Sequence, residues 1–117
     1  MHALIIEDES LIAMAIEDAL RACGFTSFDF AASNEEAVAA AARNCPDLIT
    51  ADVQLRPGCG IDAVQSICSD RPVPALFITG SPGEVMIRMP GHVLIEKPFS
   101  PERVMAATRL IMESRNG

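Results

Sequence analysis

Short runs of continuous apolar residues, each followed by a stretch with helical spacing, limit this chain to very few folds. Residues 3–6 (ALII), 48–51 (LITA), 75–79 (ALFIT) and 93–95 (VLI) are such runs, and residues 25–31 form a weaker, mixed one. An apolar run too short for a helix reads as a strand buried on both faces, as in a parallel sheet. Parallel neighbours need crossover connections, and the intervening segments are long enough to be helices.

The helical readings follow from spacing and punctuation. From Ser10, the residues Ile12, Ile16, Ala19 or Leu20, and Cys23 share one face, and Gly24 is a natural stop. Ser33 with Glu36 three residues on makes a capping box for an alanine-rich helix that ends before Pro46. Pro57, Gly58 and Gly60 mark a loop, after which Ile61, Val64, and Ile67 or Cys68 point inward until Pro72 and Pro74. Between Ser81 and Gly91, two prolines and two glycines leave room for about two helical turns, and Met86, Ile87 and Met89 are expected to pack inward, the alternative being an exposed adaptable patch for a partner. Ser100 and Pro101 cap a last helix with Val104, Ala107 and Ile111 inward. Five strands alternating with five helices predict an α/β fold, a doubly wound parallel sheet with helices on both faces.

With 117 residues, half of them apolar, the chain suits one domain with a sufficient core. A net charge of −7 argues against nucleic acid and against an anionic membrane surface as direct partners. No apolar stretch approaches the ~20 residues of a membrane span, and no signal peptide is visible. Cys23, Cys45, Cys59 and Cys68 lack zinc-knuckle or redox spacing, which fits free thiols and a cytoplasmic location.

Ligands of open α/β sheets bind outside the carboxyl ends of the strands. Those ends carry Glu7 and Asp8, Asp52, Thr79, and Glu96 with Lys97. A lone carboxylate there is commonly a cap or loop residue, so the conjunction carries the weight. If the first and third strands are neighbours, Asp8 and Asp52 face each other. Two carboxylates at ~4 Å repel by about 4 kcal/mol at an effective dielectric near 20. A proton, a hard divalent cation or Lys97 could offset this. Oxygen donors favour Mg2+, whereas Zn2+ would want His or Cys. An acidic pocket with one lysine suits phosphate chemistry.

The segments IIEDES (residues 5–10), ITADVQL around Asp52, Gly60, FITG around Thr79 and EKPF (residues 96–99) resemble the receiver domain of two-component response regulators, the CheY-like family. The likeness spans essentially the whole chain, in order. It implies a flavodoxin-like strand order 2-1-3-4-5. Asp52 would accept a phosphoryl group from phosphohistidine on a histidine kinase or a histidine phosphotransfer protein, and later lose it by hydrolysis. The same resemblance makes Asp8, Asp52 and the Gln54 backbone carbonyl Mg2+ ligands, with Glu7 acting through water. It assigns phosphoryl oxygens to Thr79 and Lys97, and a cis bond to Lys97–Pro98. Gln54 and Ser81 would flank the line of water attack. Apart from this self-catalysed chemistry, no metabolic activity is implied.

Departures matter too. Leu94 stands where the family usually carries a switch aromatic, and Arg56, followed by Pro57, stands where it usually carries a proline. FITGSPGE resembles the "FAT GUY" receivers, often tied to bacterial general stress signalling. Little chain follows residue 113, so a stand-alone receiver is expected, without an output domain over residues 1–117. It would be a monomer, or a dimer on phosphorylation, signalling by protein binding or acting as a phosphate sink. Two readings of Ser81–Gly91 stay open: a segment ordered on phosphorylation, or an ordinary surface loop. A pseudo-receiver interaction module would not need to retain Asp8, Asp52, Thr79 and Lys97 together. A haloacid dehalogenase-type phosphatase would have a second Asp where Gln54 stands.

Overall fold

The structure, a computed structural model, describes residues 1–55 and 57–116. Arg56 lies outside them. Five parallel strands form the central sheet: β1 (His2–Ile6), β2 (Ser27–Ala31), β3 (Leu48–Ala51), β6 (Ala75–Thr79) and β7 (Val93–Glu96). Their order is β2-β1-β3-β6-β7, the doubly wound arrangement expected from the sequence. The helices are α1 (Ser10–Ala22), α2 (Asn34–Arg43), α3 (Gly60–Cys68), α4 (Pro82–Arg88) and α5 (Pro101–Asn116).

Strand alternation divides the core into two layers. Leu4, Ile6, Ile49, Ala51 and Phe77 face α2 and α3, meeting Ala37, Ala40, Ile61, Val64 and Ile67. Ala3, Ile5, Leu48, Leu76 and Ile78 face the other way, against Ile16 and Leu20 of α1 and Val104 of α5. Both faces are covered, which is why the central strands read as continuous apolar runs. Edge strand β2 is only partly buried, matching its mixed sequence.

The turns follow the local chemistry. Gly24 has φ 97°, a left-handed conformation that costs glycine little. The Ser33 hydroxyl accepts the Glu36 N–H at 3.2 Å, while Glu36 reaches back to the Ala32 N–H at 2.9 Å. The four cysteines are free thiols.

Three local expectations need correction. Phe25 precedes β2 and is buried in the α1-side core, its N–H bonded to the Leu20 carbonyl, so helix-terminus geometry replaces the strand there. The loop after Asp52 contains a small antiparallel ribbon, β4 (Gln54–Leu55) with β5 (Gly58–Cys59), turning where Gly58 takes φ 117°. Met86 and Ile87 are exposed at 67% and 81%, not packed inward. Val85 and half-buried Met89 form the inner face of that segment instead, four residues apart and so one above the other.

Candidate functional site

The register of the sheet gathers the polar strand ends into one place. Ile6 and Ala51 are cross-strand partners, so the residues that follow them leave the sheet side by side. The Asp52 N–H bonds to the Ile6 carbonyl at 3.0 Å, and the Glu7 N–H to the Ala31 carbonyl at 2.9 Å. On the other side, the Lys97 N–H bonds to the Thr79 carbonyl at 2.9 Å. Residues from four chain segments thus meet at the carboxyl edge without leaving the parallel hydrogen-bond pattern.

Lys97 occupies the centre. Its Nζ lies 2.8 Å from Glu7 Oε1 and 2.9 Å from Asp52 Oδ2. The Glu7 side chain is fully buried, and its second oxygen accepts the Glu9 N–H at 3.2 Å. Asp52 Oδ1 accepts the Gln54 N–H at 3.4 Å. Thr79 is buried, with its Oγ1 accepting the Ser81 N–H at 3.0 Å. The Lys97–Pro98 peptide is cis.

A cleft of about 190 Å3 opens over these groups, lined by Asp8, Glu9, Asp52, Gln54, Thr79, Gly80 and Lys97. One oxygen each from Glu7, Asp8 and Asp52 falls within 4.8 Å of the others. Three carboxylates against one ammonium leave an excess of negative charge, and every donor is a hard oxygen. That set fits a cation such as Mg2+, which takes one or two carboxylates and keeps several waters.

The titration of the buried pair follows from its surroundings. Burial pushes the Glu7 carboxyl above its usual 4.5; Lys97 and the Glu9 N–H oppose the rise, and the Asp52 charge adds to it. Burial pulls the Lys97 ammonium down, but its bonds to Glu7 and Asp52 prevail and hold it above its usual 10.5.

Six of the residues singled out in the sequence therefore converge here, Glu7, Asp8, Asp52, Gln54, Thr79 and Lys97, whereas Glu96 at the end of β7 is exposed and does not line the cleft. Two contributions go beyond what the sequence reading assigned. Glu9 lines the cleft and tethers Glu7 through its backbone, which any residue type could do. Gly60, noted only for its spacing, packs so closely on Asp52 that a β-carbon would stand 1.8 Å from the Asp52 carbonyl oxygen.

The response regulator receiver domain family matches residues 3–109. The chain belongs to that family. Among curated relatives, this receiver domain is 41% identical over 107 residues to the phyllosphere-induced regulator PhyR of Methylorubrum extorquens, covering 88% of this chain and 40% of PhyR. It thus spans well under half of that relative. It is 28% identical to the chemotaxis protein CheY of Thermotoga maritima, covering 91% of this chain and 92% of CheY. Among solved structures, the receiver domain of Erythrobacter litoralis PhyR superposes with TM-score 0.89 at 36% identity, covering 96% of this chain and 89% of that one. The response regulator PhyR from Brucella abortus gives 0.87 at 34% identity, over 98% of this chain and 49% of that one. No described helix is long and apolar enough to cross a membrane.

Proposed function

We propose that this receiver domain accepts a phosphoryl group on Asp52 from phosphohistidine of a histidine kinase or a histidine phosphotransfer protein. An Asp52 carboxylate oxygen forms the new O–P bond, the N–P bond of the donor breaks, and its electron pair stays with the imidazole. Hydrolysis later returns the carboxylate and inorganic phosphate. The observation that carries this reading is Lys97 Nζ, held 2.9 Å from Asp52 Oδ2 at the wall of an open, oxygen-lined cleft.

Each neighbour has a physical task in this scheme. Lys97 offsets charge on the phosphoryl oxygens, which bring about two negative charges. The Thr79 hydroxyl can turn from the Ser81 N–H toward one of those oxygens. Glu7 holds the ammonium from behind. Asp8, Asp52 and the Gln54 carbonyl would hold Mg2+, with Glu7 acting through water; when bound, the ion neutralises phosphoryl charge. Gly80 leaves the entrance open, since nothing stands within 4 Å of where its side chain would be.

The output would pass through the Ser81–Gly91 segment, because Leu94, half-buried on the α2–α3 side of the core and the cross-strand partner of Phe77, replaces an aromatic switch. In this scheme α4 gains protection from amide exchange when beryllofluoride occupies Asp52. A solved relative, 41% identical, is described as the PhyR stress response regulator, which supports a role in general stress signalling.

Incubation with acetyl phosphate and Mg2+, followed by intact mass, tests the assignment. A mass gain of one phosphoryl group that disappears in Asp52→Asn is expected. No gain with acetyl phosphate or with any phosphohistidine donor would reduce the domain to a binding module.

A further inference from the structure

A groove of about 400 Å3 runs between α1 and the β2 edge, with Met14, Phe30 and Ala32 among its apolar lining and Asp8, Glu17 and Glu36 among its acidic lining. Met14 is 58% exposed and Phe30 50%. Strand β2 ends the sheet and pairs only with β1, so among the described residues no further strand lies along its outer edge. Among the described residues, no lysine or arginine lines the groove.

The neighbouring position shows which chemistry such a surface holds. The Arg21 guanidinium carbon sits 4.7 Å from the centre of the Phe28 ring, and Arg21 pairs with Glu17 at 2.7 Å. Phe28 in turn stacks on Phe30, with ring centres 6.4 Å apart and planes at 26°. One ring of the pair is therefore covered by the chain's own arginine, braced by a carboxylate. Among the described residues no cation stands over the other ring, and Glu36 lines the same groove.

We propose that this groove docks an arginine-bearing apolar segment of a partner protein. The guanidinium stacks on Phe30 and pairs with Glu36, and a neighbouring apolar side chain lies against Met14. Guanidinium over an aromatic face is a favoured contact, and arginine is enriched at interface centres. A chain of net charge −7 would steer a basic partner toward it. The inference goes beyond phosphoryl transfer and does not require it, because Met14, Phe30 and Glu36 have no part in that chemistry.

The test is amide chemical-shift mapping of the whole chain in saturating Mg2+, with the acidic cleft thereby occupied. The probes are acetyl-Arg-Leu-Arg-Leu-amide and its counterpart with glutamate for arginine. Saturable shifts centred on Met14, Phe30, Ala31 and Ala32 are expected with the basic peptide only. Affinity should fall by about fivefold in Phe30→Leu, which keeps an apolar side chain but removes the ring. Glu36→Gln, which retains an acceptor for the Ala32 N–H, should weaken binding by a similar factor. Met14→Ala, at an exposed helix position, serves as an independent variant should Phe30→Leu disturb the sheet. Shifts that are absent, equal for both peptides, or unchanged in the folded variants would overturn the proposal.

Discussion

Asp52 and Gly60 touch so closely that no side chain fits between them: a β-carbon on Gly60 would stand 1.8 Å from the Asp52 carbonyl oxygen. The Gly60 N–H also bonds to the Val53 carbonyl at 2.9 Å, so the start of α3 fixes the backbone that carries Asp52. Gly60→Ala must displace that backbone and should cost about 1–3 kcal/mol. Gly80→Ala, where nothing lies within 4 Å, should stay within about 0.5 kcal/mol of the parent. Urea denaturation followed by circular dichroism measures both; the chain has no Trp or Tyr for fluorescence.

The buried ion pair makes stability depend on pH with a definite sign. Glu7 and Lys97 both bind protons more tightly folded than unfolded, so each favours the folded state less as pH rises through its window. For Glu7 the loss begins near its usual 4.5 and continues until pH passes the higher folded value. For Lys97 the contribution is fully present below 10.5 and is lost above it. In metal-free buffer, the stability of the parent relative to Glu7→Gln should fall with pH across the acid window. Relative to Lys97→Met it should fall across the alkaline one. A flat difference against Lys97→Met would contradict the pairing, and a flat difference against Glu7→Gln would contradict the dominance of burial over the Lys97 bond at that carboxyl.

Three carboxylates sharing one ammonium should make the folded domain gain stability from a divalent cation. Magnesium at a hundred times its dissociation constant should add about 2.7 kcal/mol to unfolding, reversed by chelation. Asp8→Asn should weaken this linkage, because Asp8 carries no ion pair among the described residues and its charge is available to the cation. A midpoint indifferent to Mg2+ would count against a metal site here.

Thr50 lies in β3, 1% exposed, and among the described residues its hydroxyl has no hydrogen-bond partner. An unsatisfied buried hydroxyl is unfavourable, so Thr50→Val, of nearly equal shape, should leave stability unchanged or raise it by about 1 kcal/mol. Loss of stability in the same urea assay would mean the hydroxyl has a partner after all.

Much of this architecture was legible because burial on both faces writes itself as ALII, LITA and ALFIT. The Ser33–Glu36 cap was equally readable, since both its bonds are local. The failures have separate causes. The β4–β5 ribbon is tied to the start of α2 by Asn34 Oδ1, which accepts the Cys59 N–H at 3.1 Å, a contact spanning 25 residues. A helix of only seven residues carries too few apolar positions to set its phase, and Met86 and Ile87 of α4 face solvent although they are apolar. At the site, residue types pointed to the cleft. The sharing of Lys97 between Glu7 and Asp52, 90 and 45 residues away, emerges only from the sheet register.

The central claim is that Asp52 itself carries the phosphoryl group. Borohydride reduction of the domain after acetyl phosphate treatment converts an acyl phosphate into homoserine, which peptide sequencing locates. Homoserine at position 52, absent without phosphodonor, is the expected result. Homoserine at position 8 or elsewhere in the chain, or none despite a phosphoryl mass gain, would contradict the assignment.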